Sequence, residues 1–504
     1  MMKTKYPAVN TIVLQIKDFK KGLDAFTNQN VLDHNYSVDC YNLDFRSGAL
    51  TEGLGFSNLT FPSSEEEGCQ ENASQYCDAH SATNFYKIAH YVDYSTDENK
   101  RTDKLVLLTK ANEFLYGRII STYPTITRLT DVTFESKPKT CNLAIGNYKY
   151  IFFFGTDQPL RAWDNHTYGT ITYSNAPNIT DFCMHNGCGV GIVGKERDNI
   201  RIDTLALNQW NGNTAFDGVN VTLDSDRGYA NKLLSFKDYV FVLRDYGITR
   251  VAYNQSSKTY AINNLLFSGS RIYGDTACIC GDKGLVLCKD GIYQFDNISA
   301  KKIDLKINQF FKGATNKWAV AAFKDGIYYL ACRLNFGDSE RVGCENNNYK
   351  NNALVALDVA TNQYQILRGY DINDLCAIQY KSCDKVLASF ESNYNLSIGQ
   401  IDNSGLQFGS VMRRLWMSPL SDLGHPDKQK LVKEISIFTK YKIKITIFSE
   451  KESKSFWVNG KQSASKIPVK IKGNKIGVSI FSATAKVEVS DLKITIDMLG
   501  ENYV

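Results

Sequence analysis

Gly189-Val190-Gly191-Ile192-Val193-Gly194 has the G-x-G-x-x-G spacing that lets a backbone wrap a pyrophosphate. Such a cradle needs a strand before it and a helix after it, with the helix N-terminus facing the anion. Here Lys195-Glu196-Arg197-Asp198-Asn199-Ile200-Arg201-Ile202-Asp203 follows, a turn and then an alternating strand. The glycines are therefore expected inside a sheet. Cys183-Met184-His185-Asn186-Gly187-Cys188 offers three soft ligands, one fewer than structural zinc takes. Neither Cys69, Cys77 and His80 nor Cys278 and Cys280 forms an obvious completing pair, and Cys278 and Cys280 are expected to face the same packed side of one strand. None of the histidines (His34, His80, His90, His166, His185, His425) stands in H-E-x-x-H or beside a G-x-S-x-G elbow. Glu65-Glu66-Glu67 reads as a solvated charge run. Paired carboxylates for glycoside hydrolysis need only spatial proximity, but the S-x-D-x-G-x-T-W box of sialidase-like propellers does not occur. Trp163-Asp164 is an isolated dipeptide, so the repeating WD40 signature is absent too. No residue is assigned a catalytic, cofactor-binding or metal role, no cofactor is expected, and the chain reads as a non-enzyme.

The elements that would have to position any such residues are strands. Of 504 residues, 43% are hydrophobic, enough for one large core or two to three ordinary ones. Lys and Arg (58) nearly balance Asp and Glu (53), and the resulting +5 argues against a dedicated nucleic-acid binder. Thr11-Ile12-Val13-Leu14-Gln15-Ile16 is too short for a leader, and no stretch approaches the roughly 18 apolar residues of a spanning helix. The chain is expected to be made, and to stay, in a cytosol-like compartment until assembly. Its 13 cysteines are then expected to be buried or idle thiols, although Cys69 and Cys77 could close a loop after release into an oxidising medium. The Asn-x-Ser/Thr triplets at Asn58, Asn72, Asn165, Asn178, Asn220 and Asn297 are idle without secretion.

Short apolar runs separated by turns recur along the middle of the chain. Lys237-Asp238, Lys289-Asp290-Gly291 and Lys324-Asp325-Gly326 each sit between two such runs and read as hairpins, 52 and 35 residues apart. Further hairpins are expected near 353–367 and 386–401. Repeats of this length predict a degenerate β-propeller over 85–405, with about six to eight blades. Residues 1–60 form an N-terminal segment, part of which is expected to pair with the propeller; residues near 36–56 would close it against 386–405. Residues 61–84 read as an exposed loop or insertion, and 338–352 as another. Beyond Gly405 the composition changes: residues 411–504 hold 17 Lys and Arg against 9 Asp and Glu, leaving 41 against 44 before them. Strict alternation at Ile443, Ile445 and Ile447, a hairpin through Gly473-Asn474, and two more strands supplied by Val487, Val489, Leu492, Ile494 and Ile496 predict a Lys-rich antiparallel β-sandwich. The whole is all-β.

Phe19-Lys20-Lys21-Gly22-Leu23-Asp24, Asn42-Leu43-Asp44-Phe45, Gly48-Ala49-Leu50 and Gly55 resemble the opening of structural proteins in tailed-phage tails. Lys21 stands where a glycine is usual, and the arginine expected near Gly53 is missing. A long propeller followed by Arg413-Arg414-Leu415-Trp416-Met417-Ser418-Pro419 and a sandwich is similar to the tail nozzle or packaged-DNA-stabilisation proteins of short-tailed phages. The resemblance implies a virion structural protein without catalytic residues, assembled in the host cytoplasm. It implies a homo-oligomeric ring, a hexamer, below the portal and adaptor, which closes or extends the DNA exit channel for genome ejection. It further implies contacts with other tail proteins, tail fibres among them, and transient non-specific contact with the genome. The competing readings are a glycan-binding propeller that recognises a receptor through exposed Tyr and Trp, and a propeller hydrolase.

Overall fold

The computed structural model describes residues 10–24, 27–29, 32–58, 85–95, 97, 100–109, 114–118, 127–129, 132–145, 148–156, 158–165, 170–173, 178–193, 197–203, 219–254, 256–257, 259–267, 269–336, 349–380, 383–391 and 398–499. The expected loop at 61–84, with Glu65-Glu66-Glu67, Cys69, Cys77 and His80, lies outside them. So do His166, Gly194 and most of 338–352.

Seven sheets of four or more strands follow one another between residues 85 and 402, and the chain is an all-β propeller. Their first strands are Phe85–Tyr91, Lys139–Ile145, Ile179–His185, Ala230–Phe236, Ile272–Cys280, Val320–Lys324 and Ile372–Tyr380. Each stands at one edge of its sheet, and together they surround the axis, the seventh packing against the first. Most blades then run outward by antiparallel hairpins. The inner hairpins are tight because residues that accept positive φ sit at their tips: Asn186 and Gly187 (φ 47° and 77°), Lys237 (54°), Gly281 (69°), Asp325 and Gly326 (50° and 78°). The equivalent turns of blades four, five and six therefore fall at 237, 281 and 324. Lys289-Asp290-Gly291, expected to be one of the series, is instead the second turn of blade five. The apparent spacings of 52 and 35 mixed two kinds of turn.

The seventh blade is closed by a strand from the other end of the chain. Gly55–Asn58 pairs antiparallel with Ile398–Asp402, so the ring is fastened by non-covalent pairing of distant segments. Phe56 is fully buried there, edge-on to Tyr370 and Phe390 at 5.0 Å each.

The other N-terminal strands belong to the sandwich. In one sheet Leu43–Asp44, Leu50–Glu52, Glu488–Leu499, Gln429–Thr439 and Ser465–Gly473 lie side by side, with Asn10–Ile16 also on Glu488–Leu499. The facing sheet orders Asp39–Tyr41, Arg414–Met417, Ile476–Ser482, Ile443–Ser449 and Ser453–Val458. Two local expectations are corrected. Ser465–Gly473 and Ile476–Ser482 are in different sheets, so the Gly473-Asn474 turn is an arch across the core and not a hairpin. Val489 to Ile496 lie in one 12-residue strand, not two. The alternating isoleucines do fill the space between the sheets, with Ile443, Ile445, Ile447, Ile480, Ile494 and Ile496 buried. Their core continues without a break into blades five and six, through Leu285, Leu330, Val355 and Ile366.

The residues that carry the phage-tail resemblance form this junction. Phe19 packs edge-on to Trp416 at 5.2 Å, both fully buried. Gly22, at φ 65°, leaves room for the Phe45 ring, which a Cβ would meet at 2.5 Å. Asn42, also at positive φ, donates its backbone N–H to Ile366 O (2.8 Å) and its side-chain amide to Arg413 O (2.8 Å), and accepts from Arg368 N–H (2.9 Å). It thus ties blade six to the sandwich. Ser418 accepts from Val478 N–H at 2.9 Å and fixes the chain as it leaves Trp416.

Candidate functional site

Four of the axial strands begin with an irregularity in pairing to their neighbour, between Phe85 and Lys87, Ile179 and Asp181, Ala230 and Lys232, and Ile372 and Asp374. A bulge re-aims the next side chain. In each case that residue is charged and takes part in one of two sets of ion pairs about the axis. Asp374 lies 3.1 Å from Lys87 and 3.0 Å from Lys137. Asp181 lies 3.4 Å from Lys232 and 3.6 Å from Lys139, which reaches Asp275 at 2.8 Å. Both buried aspartates also cross to the next blade: Asp181 accepts from Leu233 N–H (2.5 Å) and Asp374 from Ile88 N–H (2.9 Å). Burial opposes ionisation of Asp374, but Lys137 and Lys87 prevail and hold its carboxyl below the usual range. At Asp275, Lys139 and Lys232 likewise outweigh burial and bring it to about 2. Burial lowers Lys232, but Asp181 and Asp275 outweigh it and raise its pKa.

Above these pairs opens a cavity of about 420 Å³, lined among others by Lys137, Lys139, Thr180, Arg197, Arg271 and Lys317. A second of about 250 Å³ adjoins it at Ser136 and Lys137 and continues to Trp318 and Lys350. Six cations border the two against Glu135, Asp245 and Asp275, so the mouth is net positive. Three of the cations are seated on aromatic rings. Arg197 lies 5.1 Å from the Tyr229 ring centroid, and Lys317 and Lys350 lie 4.9 and 5.4 Å from that of Trp318.

General-acid chemistry needs a carboxyl whose pKa is pushed upward. Asp245 accepts from Tyr229 N–H and Asn231 and faces Arg271 at 3.7 Å, and Asp275 is held low. Among the described residues the one carboxyl raised is Asp371, by burial, and it accepts two backbone N–H groups, from Lys350 and Asn351 (2.9 Å each). It caps a loop.

The residues singled out from sequence are dispersed. Gly189 and Gly191 lie in Cys188–Val193, the second strand of blade three, and another strand, Asn199–Asp203, follows. Cys183, His185 and Cys188 share the first hairpin of that blade. Burial pushes the Cys183 thiol well up, and His185 bonds Ser235 at 2.9 Å. Cys280 is buried and Cys278 half-buried, both thiols raised by burial. His90 is tied to Asp103 at 2.7 Å. Among the described residues no group of three or more ligating side chains could hold a metal. No helix among them is long and apolar enough to cross a membrane. Sequence reading missed the axial ion pairs, although an apolar residue, any residue, then Lys or Asp, then an apolar residue opens the four bulged strands (Phe85-Tyr86-Lys87-Ile88, Ile179-Thr180-Asp181-Phe182, Ala230-Asn231-Lys232-Leu233, Ile372-Asn373-Asp374-Leu375).

No protein-family model and no curated protein matches this sequence. Solved structures resemble the chain in shape. BBS1N, crystallised in complex with ARL6DN and soaked with lead, matches over 63% of this chain and 91% of its own, with a TM-score of 0.40 and 10% identity. The extracellular domain of the one-component system BT4673 from B. thetaiotaomicron matches over 88% of this chain, with a TM-score of 0.44 and 10% identity. This chain spans 60% of that domain's length.

Proposed function

We propose that this protein is a non-enzymatic structural component of a phage virion. It acts as a nozzle- or hub-like ring element of the tail, below the portal and adaptor, which closes or extends the DNA exit channel and anchors other tail proteins. The observation that carries the reading is the outer edge of blades four and five. Every residue of the edge strand Thr259–Asn264 is exposed, Tyr260 and Ile262 among them. Beside it, Leu266 and Ile298 are joined by a backbone hydrogen bond and are each about three-quarters exposed (76% and 77%). Large apolar side chains grouped at a free sheet edge suit lateral protein contact. They serve no chemistry. A propeller fastened to a sandwich through a shared core is a stiff block, as a ring element must be. The resemblance in residues 19–55 and 413–419 supports the same reading, because those residues build the junction and none of them lines the axial cavities.

The test is the assembly state of the full chain with and without Leu266→Asp and Ile298→Asp. The wild type is expected to form a ring and to co-sediment with tail particles. The double variant, with unchanged circular dichroism, should weaken association about thirtyfold, the ~2 kcal/mol of an interface hot spot. A wild type that stays monomeric and ignores tail particles overturns the proposal.

A further inference from the structure

The axial mouth has a property that a ring element does not need. A carboxylate that fixes a cation also cancels its charge, whereas an aromatic ring fixes it and leaves the charge available. Deep at the axis the lysines are neutralised by Asp181, Asp275 and Asp374. At the rim the arrangement changes: Arg197 is held by Tyr229 and by the amide oxygen of Asn231 (3.1 Å), and Lys317 by Trp318, with no ion pair at either among the described residues. Among the described residues, Lys350, on the same ring, has only Glu391 as ion-pair partner at 3.7 Å, and the half-exposed Arg271 only Asp245 at 3.7 Å. Seating several flexible cations around one cavity while leaving them unneutralised carries a cost in repulsion, which a bound anion relieves. An independent observation points the same way. Thr180 lines the larger cavity, is 6% exposed, and its hydroxyl has no hydrogen-bond partner among the described residues. Both ends of the buried Gln158 amide likewise lack a partner among the described residues, beside Gly155 of the same lining. Native proteins rarely leave buried polar groups unsatisfied away from a functional site.

We infer that the axial mouth of the propeller is a binding site for a compact, multiply charged oxyanion: a sugar-sized scaffold bearing two or more phosphate, sulfate or carboxylate groups. The volume selects the size, since about 420 Å³ admits such a ligand and is far too small for a nucleic-acid duplex. The ion pairs beneath form a floor whose charges are already paired, so the ligand's anionic groups are met by Arg197, Arg271, Lys317 and Lys350. Arg197 and Arg271 can take a planar or tetrahedral oxyanion in a bidentate fork, and the two lysines act as point charges.

Titration calorimetry on the full chain tests this, with inositol hexakisphosphate and a sulfated uronate disaccharide as probes. At least one is expected to bind at a single site, with affinity falling steeply as salt is raised. Binding of the first alone assigns phosphate chemistry, and of the second alone assigns an acidic saccharide. Arg197→Gln combined with Lys317→Gln should weaken binding by about a hundredfold, one decade for each charge-assisted contact. Lys442→Gln serves as control: Lys442 also lies over an aromatic ring, Trp457 at 5.1 Å, but in the sandwich, and its loss should leave binding unchanged. Failure of both probes, equal weakening by the control, or binding of a single-stranded oligonucleotide in place of both probes overturns the inference. The assembly state of the chain enters none of these outcomes.

Discussion

Asp181 and Asp374 play the same part at two places around the axis. Each is buried, faces two lysines and accepts a backbone N–H from the following blade. Removing one leaves lysines without a counter-charge and a backbone donor without an acceptor. Asp181→Ala is therefore expected to cost about 3 kcal/mol, read as a lowered denaturant midpoint, and Asp181→Asn less because it keeps an acceptor. A change below about 0.5 kcal/mol in the alanine variant would show that these pairs are not structural. Two other aspartates, Asp103 and Asp275, set the response to acid. Burial works against ionisation of Asp103, yet His90 and Arg101 hold it at about 2, and Asp275 sits at about 2 beside Lys139. The unfolded value is near 3.9, so these groups take up protons more readily once the chain unfolds. Their stabilisation is complete above pH ~4 and is withdrawn as pH falls from ~4 towards ~2. Denaturant midpoints measured across that interval should drop steeply, and a flat profile would contradict the assignment. None of these pairings was legible in the sequence. A Lys or an Asp at a strand start looks like a solvated end until closure of the ring brings the strands together.

At the scale of elements, local pattern was read well and long-range pairing only in part. Apolar runs and turn residues give away the blade strands because a hairpin is a local event, and Asn186-Gly187 and Asp325-Gly326 have the positive φ their types accept. Ser465–Gly473 and Ile476–Ser482 alternate like a hairpin, yet each pairs with other partners. Alternation states which face is buried and not which strand lies beside it. The closing strand Gly55–Asn58 falls at the end of the stretch expected to pair with 386–405, whereas the strands Asn10–Ile16, Asp39–Tyr41, Leu43–Asp44 and Leu50–Glu52 are taken up by the sandwich. Phe56→Ala should cost about 3–5 kcal/mol and speed amide hydrogen exchange in Ile398–Asp402, the strand it covers. Gly22→Ala should destabilise by more than about 1 kcal/mol, because a Cβ there meets both a left-handed backbone and the Phe45 ring. Protection of Ile398–Asp402 that survives loss of Phe56 would mean the seventh blade does not depend on its closure.

For the whole molecule, the division into an N-terminal segment, a propeller and a C-terminal sandwich follows the order of the chain but not the order of packing. The strands between residues 10 and 58 complete the sandwich and the last blade at once, and one apolar core runs from the sandwich into blades five and six. The chain is therefore expected to melt in a single calorimetric transition, and a truncated chain starting at residue 85 should fold into neither part. Two separated transitions would show independent domains. In the proposed function, the exposed apolar edge at Leu266 and Ile298 of this rigid body contacts copies of itself and neighbouring proteins. Native mass spectrometry of the purified full chain, read alongside negative-stain images, tests that most directly. Closed rings of several copies, joined through the edges of blades four and five, are expected. A single species of one chain, at every concentration and in the presence of tail particles, would contradict it.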